Sequence, residues 1–221
     1  MGMANKDVLK FIAGFRKFHD RYFNDDDSVY RRVLQAGQSP KTMIIACSDS
    51  RVDPAMLSGA SPGEIFVVRN VANLVPPFEV QGKFHGVSSA IEFAVENIRV
   101  ENIIVLGHRQ CGGIRALMLN QHKPTSSSSF VSRWMEIARD AKEKVLAANP
   151  PATTPEEEDV LCRHCELESI IVSIQNLRTF PFIQAAIKEG RLTLHGVYFD
   201  LESGELSQLN DQTGTFENIP V

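Results

Sequence analysis

Four short runs rich in β-branched residues punctuate the chain: Thr42 to Ala46, Glu64 to Val68, Asn102 to Leu106 and Arg191 to Phe199. Longer stretches of helical periodicity separate them, and that alternation predicts an α/β fold with a mostly parallel central sheet flanked by crossover helices. Between the second and third runs, Val87, Ala90, Ile91, Ala94, Val95 and Ile98 recur at helical spacing, so this segment covers one face of the sheet. A chain of 221 residues is long enough for one such domain with a sizeable core. The expected organisation is an N-terminal helical arm over 1–37, an α/β core over 38–209 and a polar tail over 210–221.

In the arm, Val8, Phe11, Ile12, Phe15 and Phe18 form one apolar stripe. It lacks the uninterrupted apolar run of a signal peptide, which leads to the expectation of a cytoplasmic protein. Two polar or proline-rich stretches, Asn120 to Ser129 and Ala148 to Glu158, read as surface loops. The second ends in a helix start: Thr154 caps, Pro155 takes the first helical position and Glu157 completes a capping box. The helix that follows runs to about Leu177 and carries Cys162 and Cys165. A net charge of only −4 favours neither nucleic acid nor an anionic membrane surface as a partner. No apolar run reaches the length needed to span a bilayer.

The residues that carry chemistry follow two of the strands. Cys47-Ser48-Asp49-Ser50-Arg51 comes directly after the first, and Gly107-His108-Arg109-Gln110-Cys111-Gly112-Gly113 directly after the third. In open α/β sheets the carboxyl ends of strands are where ligands gather. Together the clusters offer two thiolates and an imidazole, a soft donor set that suits zinc. His108 and Cys111 are three apart, so both can reach one ion from a single turn entering a helix. Asp49 either fills a fourth position or stands beside it, and the Arg51 guanidinium is able to grip the carboxylate in a bidentate bond and keep it off the metal. Each of these residues alone is unremarkable as packing or turn chemistry; the joint arrangement is not.

At these residues the sequence resembles the beta-class carbonic anhydrases. The resemblance runs through CSDSR, PGEIFVVRNVAN (Pro62 to Asn73), GHRQCGG, HCELESI (His164 to Ile170), NLRTFPF and LHGVYFD (Leu194 to Asp200). It implies one zinc per chain on Cys47, His108 and Cys111, with Asp49 and Arg51 as the working pair. It also implies a substrate pocket lined by Phe66, Val71 and Phe93, with Gln38 and the Gly112 backbone orienting carbon dioxide or bicarbonate. Phe93 stands where plant-like members carry a tyrosine. Gln38, Phe66 and Phe93 are the contributions expected across the interface of a homodimer or dimer of dimers. The implied reaction is the reversible hydration of carbon dioxide by attack of zinc hydroxide, which makes the protein a zinc lyase. Some members also hold bicarbonate in a second pocket of Trp, Arg and Tyr; the matching positions here are Ile44, Arg69 and Phe199, so the resemblance implies an open site with Asp49 on Arg51.

Other readings are hydrolysis of carbonyl sulfide or carbon disulfide on the same scaffold, and a non-catalytic zinc protein in which Asp49 closes the coordination sphere. A nucleotide-binding domain is disfavoured, because neither the P-loop pattern nor a glycine fingerprint after a strand is present. Cys162 and Cys165 read as packed residues, since no other cysteine remains to complete a second metal site.

Overall fold

The fold is taken from a computed structural model that describes residues 5–24, 29–81, 85–120 and 129–220. Two helices, α1 (Lys6–Phe23) and α2 (Val29–Ala36), precede the first strand, β1 (Thr42–Cys47). Then come α3 (Pro54–Ser58), β2 (Ile65–Asn70), α4 (Gly86–Glu92), β3 (Asn102–His108) and α5 (Gly112–Met118). The second half holds α6 (Phe130–Met135), α7 (Arg139–Ala148), α8 (Pro155–Leu177), α9 (Pro181–Lys188), β4 (Thr193–Phe199), β5 (Leu206–Asn210) and β6 (Thr215–Asn218).

The six strands form one sheet in the order β2-β1-β3-β4-β5-β6. The first four pair in parallel, as the alternation of strand and helix requires. β5 and β6 add an antiparallel hairpin beside β4. Residues 210–220 therefore do not trail off as a polar tail: Thr215–Asn218 extends the sheet, pairing Leu209 with Phe216. Its half-exposed, largely polar strands carry too weak an alternation to be read from the sequence. The helical stripe from Val87 to Ile98 also has a feature that periodicity does not reveal. After Glu92 the helix widens into a π turn over Phe93–Ile98, ending at Arg99 in the left-handed region (φ 63°). The loop stretch 121–128 lies outside the described residues.

One face of the sheet carries the main core. Met43, Ile45, Ile103 and Val105 meet Ile91 and Val95 from α4 and its π turn, Ile170 and Ile174 from α8, and Ile183 from α9. A second core above the carboxyl edge joins Cys47, Cys111, Ile114 and Met135 to Cys162 and Cys165. The opposite face is thinner: Ile44, Ala46 and Leu106 are buried there, while Ile65, Ile104, Val197 and Phe199 are only partly covered.

The long helix α8 begins as its sequence dictates. Thr154 accepts from the Glu157 N–H and the Glu157 carboxylate reaches back to the Thr154 N–H, with Pro155 at the first position. Its approach to the sheet depends on two glycines. A Cβ on Gly107 would stand 2.6 Å from Ile170 Cδ1, and one on Gly196 2.8 Å from Ile170 Cγ2, distances no packed side chain tolerates. Glycine on both strands thus lets α8 lie close against β3 and β4. One turn before Ile170, on the same helical face, is Glu166.

Candidate metal centre

Parallel pairing sets Ala46 beside Leu106, so β1 and β3 end side by side at Cys47 and His108. The chain after His108 turns sharply at Gln110, whose φ of 57° lies in the left-handed region, and Cys111 then stands at the N-cap of α5. Cys47 Sγ, a His108 ring nitrogen and Cys111 Sγ all lie within 4.8 Å of one another, and all three residues are buried. This is the one such group of metal-binding side chains found among the described residues.

The donors are set for a cation. His108 Nδ1 lies 2.8 Å from the Arg109 carbonyl, which only accepts, so Nδ1 carries the proton and Nε2 presents its lone pair. Nε2 is buried and has no hydrogen-bond partner, a cost that a metal ion would remove. The Cys47 thiol is driven well below its usual pKa, chiefly by a hydrogen bond from Cys111 and further by the N–H groups of Asp49 and Ala72, against the effect of burial. Cys111 is pushed the other way because Cys47 takes the charge first. Two thiols, an imidazole and a site too small for two uncompensated thiolates fit a zinc ion.

Asp49 is not part of this group. Arg51 holds its carboxylate from both sides, Nε to Oδ1 at 2.9 Å and Nη2 to Oδ2 at 2.8 Å, and the Arg51 backbone N–H adds a third bond to Oδ1. The guanidinium keeps the carboxyl far below the ordinary carboxylate range. Arg69 fastens the same loop from below: it donates to the Cys47 carbonyl at 2.9 Å, the Asp49 carbonyl at 2.7 Å and Asp53 at 3.0 Å. The Arg69 guanidinium is thus engaged, and Ile44 and Phe199 pack in the thin apolar cluster.

Of the pocket residues, Val71 is near the site. It follows Asn70, which pairs with Cys47, and a Cβ on Gly113 would lie 3.0 Å from its methyl. Trp134 donates to the Val71 carbonyl at 2.8 Å. Gly112 opens α5 directly after Cys111. Phe66 and Phe93 are elsewhere. Their rings are 6.1 Å apart, but Phe66 pairs with Met43, four residues or about 13 Å before Cys47 along β1. Gln38 is exposed on the segment that leads into β1, also remote from the strand's carboxyl end.

Residues to which the motifs assigned no role complete the site. Glu166, only 3% exposed, accepts from the Cys111 N–H and from the Tyr198 hydroxyl, both at 2.8 Å. Burial pushes its carboxyl up to about 7 against these hydrogen bonds. It lies within the HCELESI stretch, on the buried face of α8, three residues from Ser169 and four from Ile170. Cys162 and Cys165 are buried on α8, and burial raises their thiols to about 11 and about 12, so they are inert packing groups.

An α/β sheet with two thiols and an imidazole converging on its carboxyl edge, beside an arginine-clamped aspartate, defines a metal-site protein of the open-sheet class. Residues 42–206 match the family model described as carbonic anhydrase, and the chain belongs to the beta-class carbonic anhydrases. It is 44% identical over 177 residues to beta carbonic anhydrase 6, mitochondrial, of Arabidopsis thaliana, covering 80% of this chain and 59% of that protein. The chain thus spans a little over half the length of that curated relative. The solved structure of the beta-carbonic anhydrase CcaA superposes with a TM-score of 0.86 at 28% identity, covering 98% of this chain and 94% of that one. A Coccomyxa beta-carbonic anhydrase in complex with acetazolamide gives 0.76 at 27% identity, covering 93% and 87%. One of two tetrameric enzymes from Sordaria macrospora gives 0.67 at 27%, covering 92% and 94%. The mitochondrial relative overturns the expectation of a cytoplasmic location.

Two outcomes follow. Cys47→Ser and Cys111→Ser should each lose zinc and stability together, because metal binding is coupled to folding; elemental analysis showing one zinc per chain in both variants would refute the ligand set. For the zinc-free protein, Glu166 has a folded pKa raised above its unfolded value. The folded state then binds more protons between the ordinary carboxylate value and about 7, so stability falls as pH rises through that window. Urea unfolding at about pH 5 and about pH 7.5 should show a shallower fall for Glu166→Gln than for the parent.

Proposed function

We propose that the protein is a zinc-dependent lyase that hydrates carbon dioxide to bicarbonate and a proton. The observation that carries this reading is the separation of roles at the carboxyl edge. Three donors converge on one point, and a permanently ionised carboxylate beside them is withheld from that point by Arg51.

A zinc ion on Cys47, His108 and Cys111 would supply a water with a pKa brought close to neutrality. The Asp49 carboxylate accepts the hydrogen bond of that nucleophile and orients its lone pair, while Arg51 keeps the carboxylate ionised and in place. With both Asp49 oxygens engaged by Arg51, the carboxylate cannot rotate freely, and its remaining lone pairs serve as a fixed acceptor. Val71 supplies an apolar wall suited to a small uncharged molecule, and the Gly112 backbone orients a substrate oxygen. The water oxygen bonds to carbon, one proton leaves, and bicarbonate departs as the anion.

A dimer completes the pocket in this proposal. Phe66 and Phe93 lie too far along their own chain to line its site, and β2 is the edge strand of the sheet. Phe93 is 44% exposed, an unfavourable place for a large aromatic ring unless another surface covers it. α1 buries none of its residues, and its stripe of Val8, Phe11, Ile12 and Phe15 is exposed. A second copy that covers these surfaces brings Gln38, Phe66 and Phe93 to the neighbouring centre; a dimer of dimers extends the same assembly.

Stopped-flow hydration assays with and without a chelator test the activity. Asp49→Asn should keep one zinc per chain yet lose at least about a hundredfold in kcat, the scale of a missing proton acceptor; near-parental turnover would exclude the role given to Asp49. Replacing Phe11 and Phe15 together by Glu should convert the protein to monomers in sedimentation and lower hydration in parallel. A fully active monomer would rule out the shared pocket.

A further inference from the structure

The Asp49–Arg51 pair is more exposed than its role suggests. The Arg51 side chain is 48% exposed, and an exposed ion pair by itself holds little free energy and opens readily. Two further contacts hold the guanidinium. Arg51 Nη2 donates to the Gln110 carbonyl at 3.1 Å, and Nη1 donates to Gln110 Oε1 at 3.2 Å. The carbonyl is aimed by the left-handed turn at Gln110 itself. The side-chain amide is oriented by charge at both ends: its oxygen faces a guanidinium, and its Nε2 donates to Glu202 Oε1 at 2.6 Å. A flipped amide would set a donor against a cation and an acceptor against an anion.

Glu202 is anchored in turn. It follows β4, its backbone N–H donates to Asp200 Oδ1 at 2.9 Å, and Asp200 is 7% exposed. Arg109 reaches the other Glu202 oxygen at 3.5 Å while bonded to Asp159 at the start of α8. A single run of polar contacts therefore ties the loops after β1, β3 and β4 together, from Asp49 through Arg51 and Gln110 to Glu202.

We propose that Gln110 and Glu202 form a positioning latch that holds the Arg51 guanidinium on Asp49 and so keeps the carboxylate from moving toward the metal donors. The inference rests on the carbonic anhydrase reading and extends it to residues that touch neither metal nor substrate. Without the latch, Arg51 keeps only the Asp49 contacts and is free to swing into solvent. The released carboxylate is then able to compete with water for the ion, which changes the equilibrium between an open and a closed centre.

The test is a double-mutant cycle on the zinc-loaded protein with Gln110→Met, Glu202→Met and both together. Each single variant should keep one zinc per chain and lose about three- to tenfold in kcat, the scale of charge-assisted bonds at an exposed site. Because Glu202 acts through the Gln110 amide, the double variant should be no worse than the poorer single one. The cobalt-substituted proteins give a second readout: the visible bands of both single variants should shift from the parent in the same direction, and the double variant should coincide with Gln110→Met. Single variants within about twofold of the parent with unchanged cobalt spectra, or losses that multiply in the double variant, would overturn the latch. If the zinc-loaded parent does not hydrate carbon dioxide, the activity reading fails, while the cobalt spectra still decide for or against the latch.

Discussion

The hydrogen-bonded register between β1 and β3 is the constraint on which the rest of the site depends. With Ala46 opposite Leu106, the two strands end together, and Cys47 and His108 leave the sheet side by side although 60 residues of sequence intervene. A slip of one residue would turn every side chain of a strand to the opposite face and separate the donors. The register is fixed by the buried alternation of Met43 and Ile45 against Ile103 and Val105 on the main core face. The apolar pattern that folds the sheet thus also builds the donor cluster.

A second constraint works through packing. Because Gly107 and Gly196 have no Cβ, Ile170 lies directly on two neighbouring strands, and α8 comes close enough for Glu166 to accept from the Cys111 N–H. A buried carboxyl is costly unless its lone pairs are used. Here Cys111 and Tyr198 use them, so the third donor's backbone is held by a group that itself has few alternatives. Close helix packing and orientation of the donor loop are therefore two results of the same pair of glycines.

How much of this was legible in the sequence follows from the range over which each interaction acts. The parallel strands, the capping box at Thr154 and the end of α8 at Leu177 are set by local pattern and were readable. Cys47, His108 and Cys111 were legible as a group because each cluster directly follows a strand, and in a parallel sheet those ends share one edge. The hairpin of β5 and β6 was not, since its strands are polar on exposed faces and their pairing is decided by the neighbouring β4. Glu166 lies in the HCELESI stretch, but its role was hidden for a different reason: a glutamate in a long helix has no local mark of burial. Gln110 and Glu202 are 92 residues apart, and nothing in either neighbourhood announces that they meet.

The same range argument bears on why a centre of this kind would be coupled to assembly. Within one chain the polar half of the site is complete: donors, the clamped Asp49, and the arginines that hold the loop all come from segments next to the carboxyl edge. The apolar half of the proposed pocket is not, because Phe66 and Phe93 sit well back along the sheet, where β2 is the edge strand. Parallel strands run in one direction only, so a residue near the start of β2 such as Phe66 cannot be brought to its carboxyl end by any local adjustment. In the proposed dimer, a neighbouring copy related by a two-fold axis would reverse the direction of that edge, and the reversal would set the aromatic pair of one chain toward the donor cluster of the other. On that proposal, the geometry of a parallel sheet is itself the reason that the metal donors, with Val71 and Gly112 beside them, and the aromatic wall of the pocket belong to different chains.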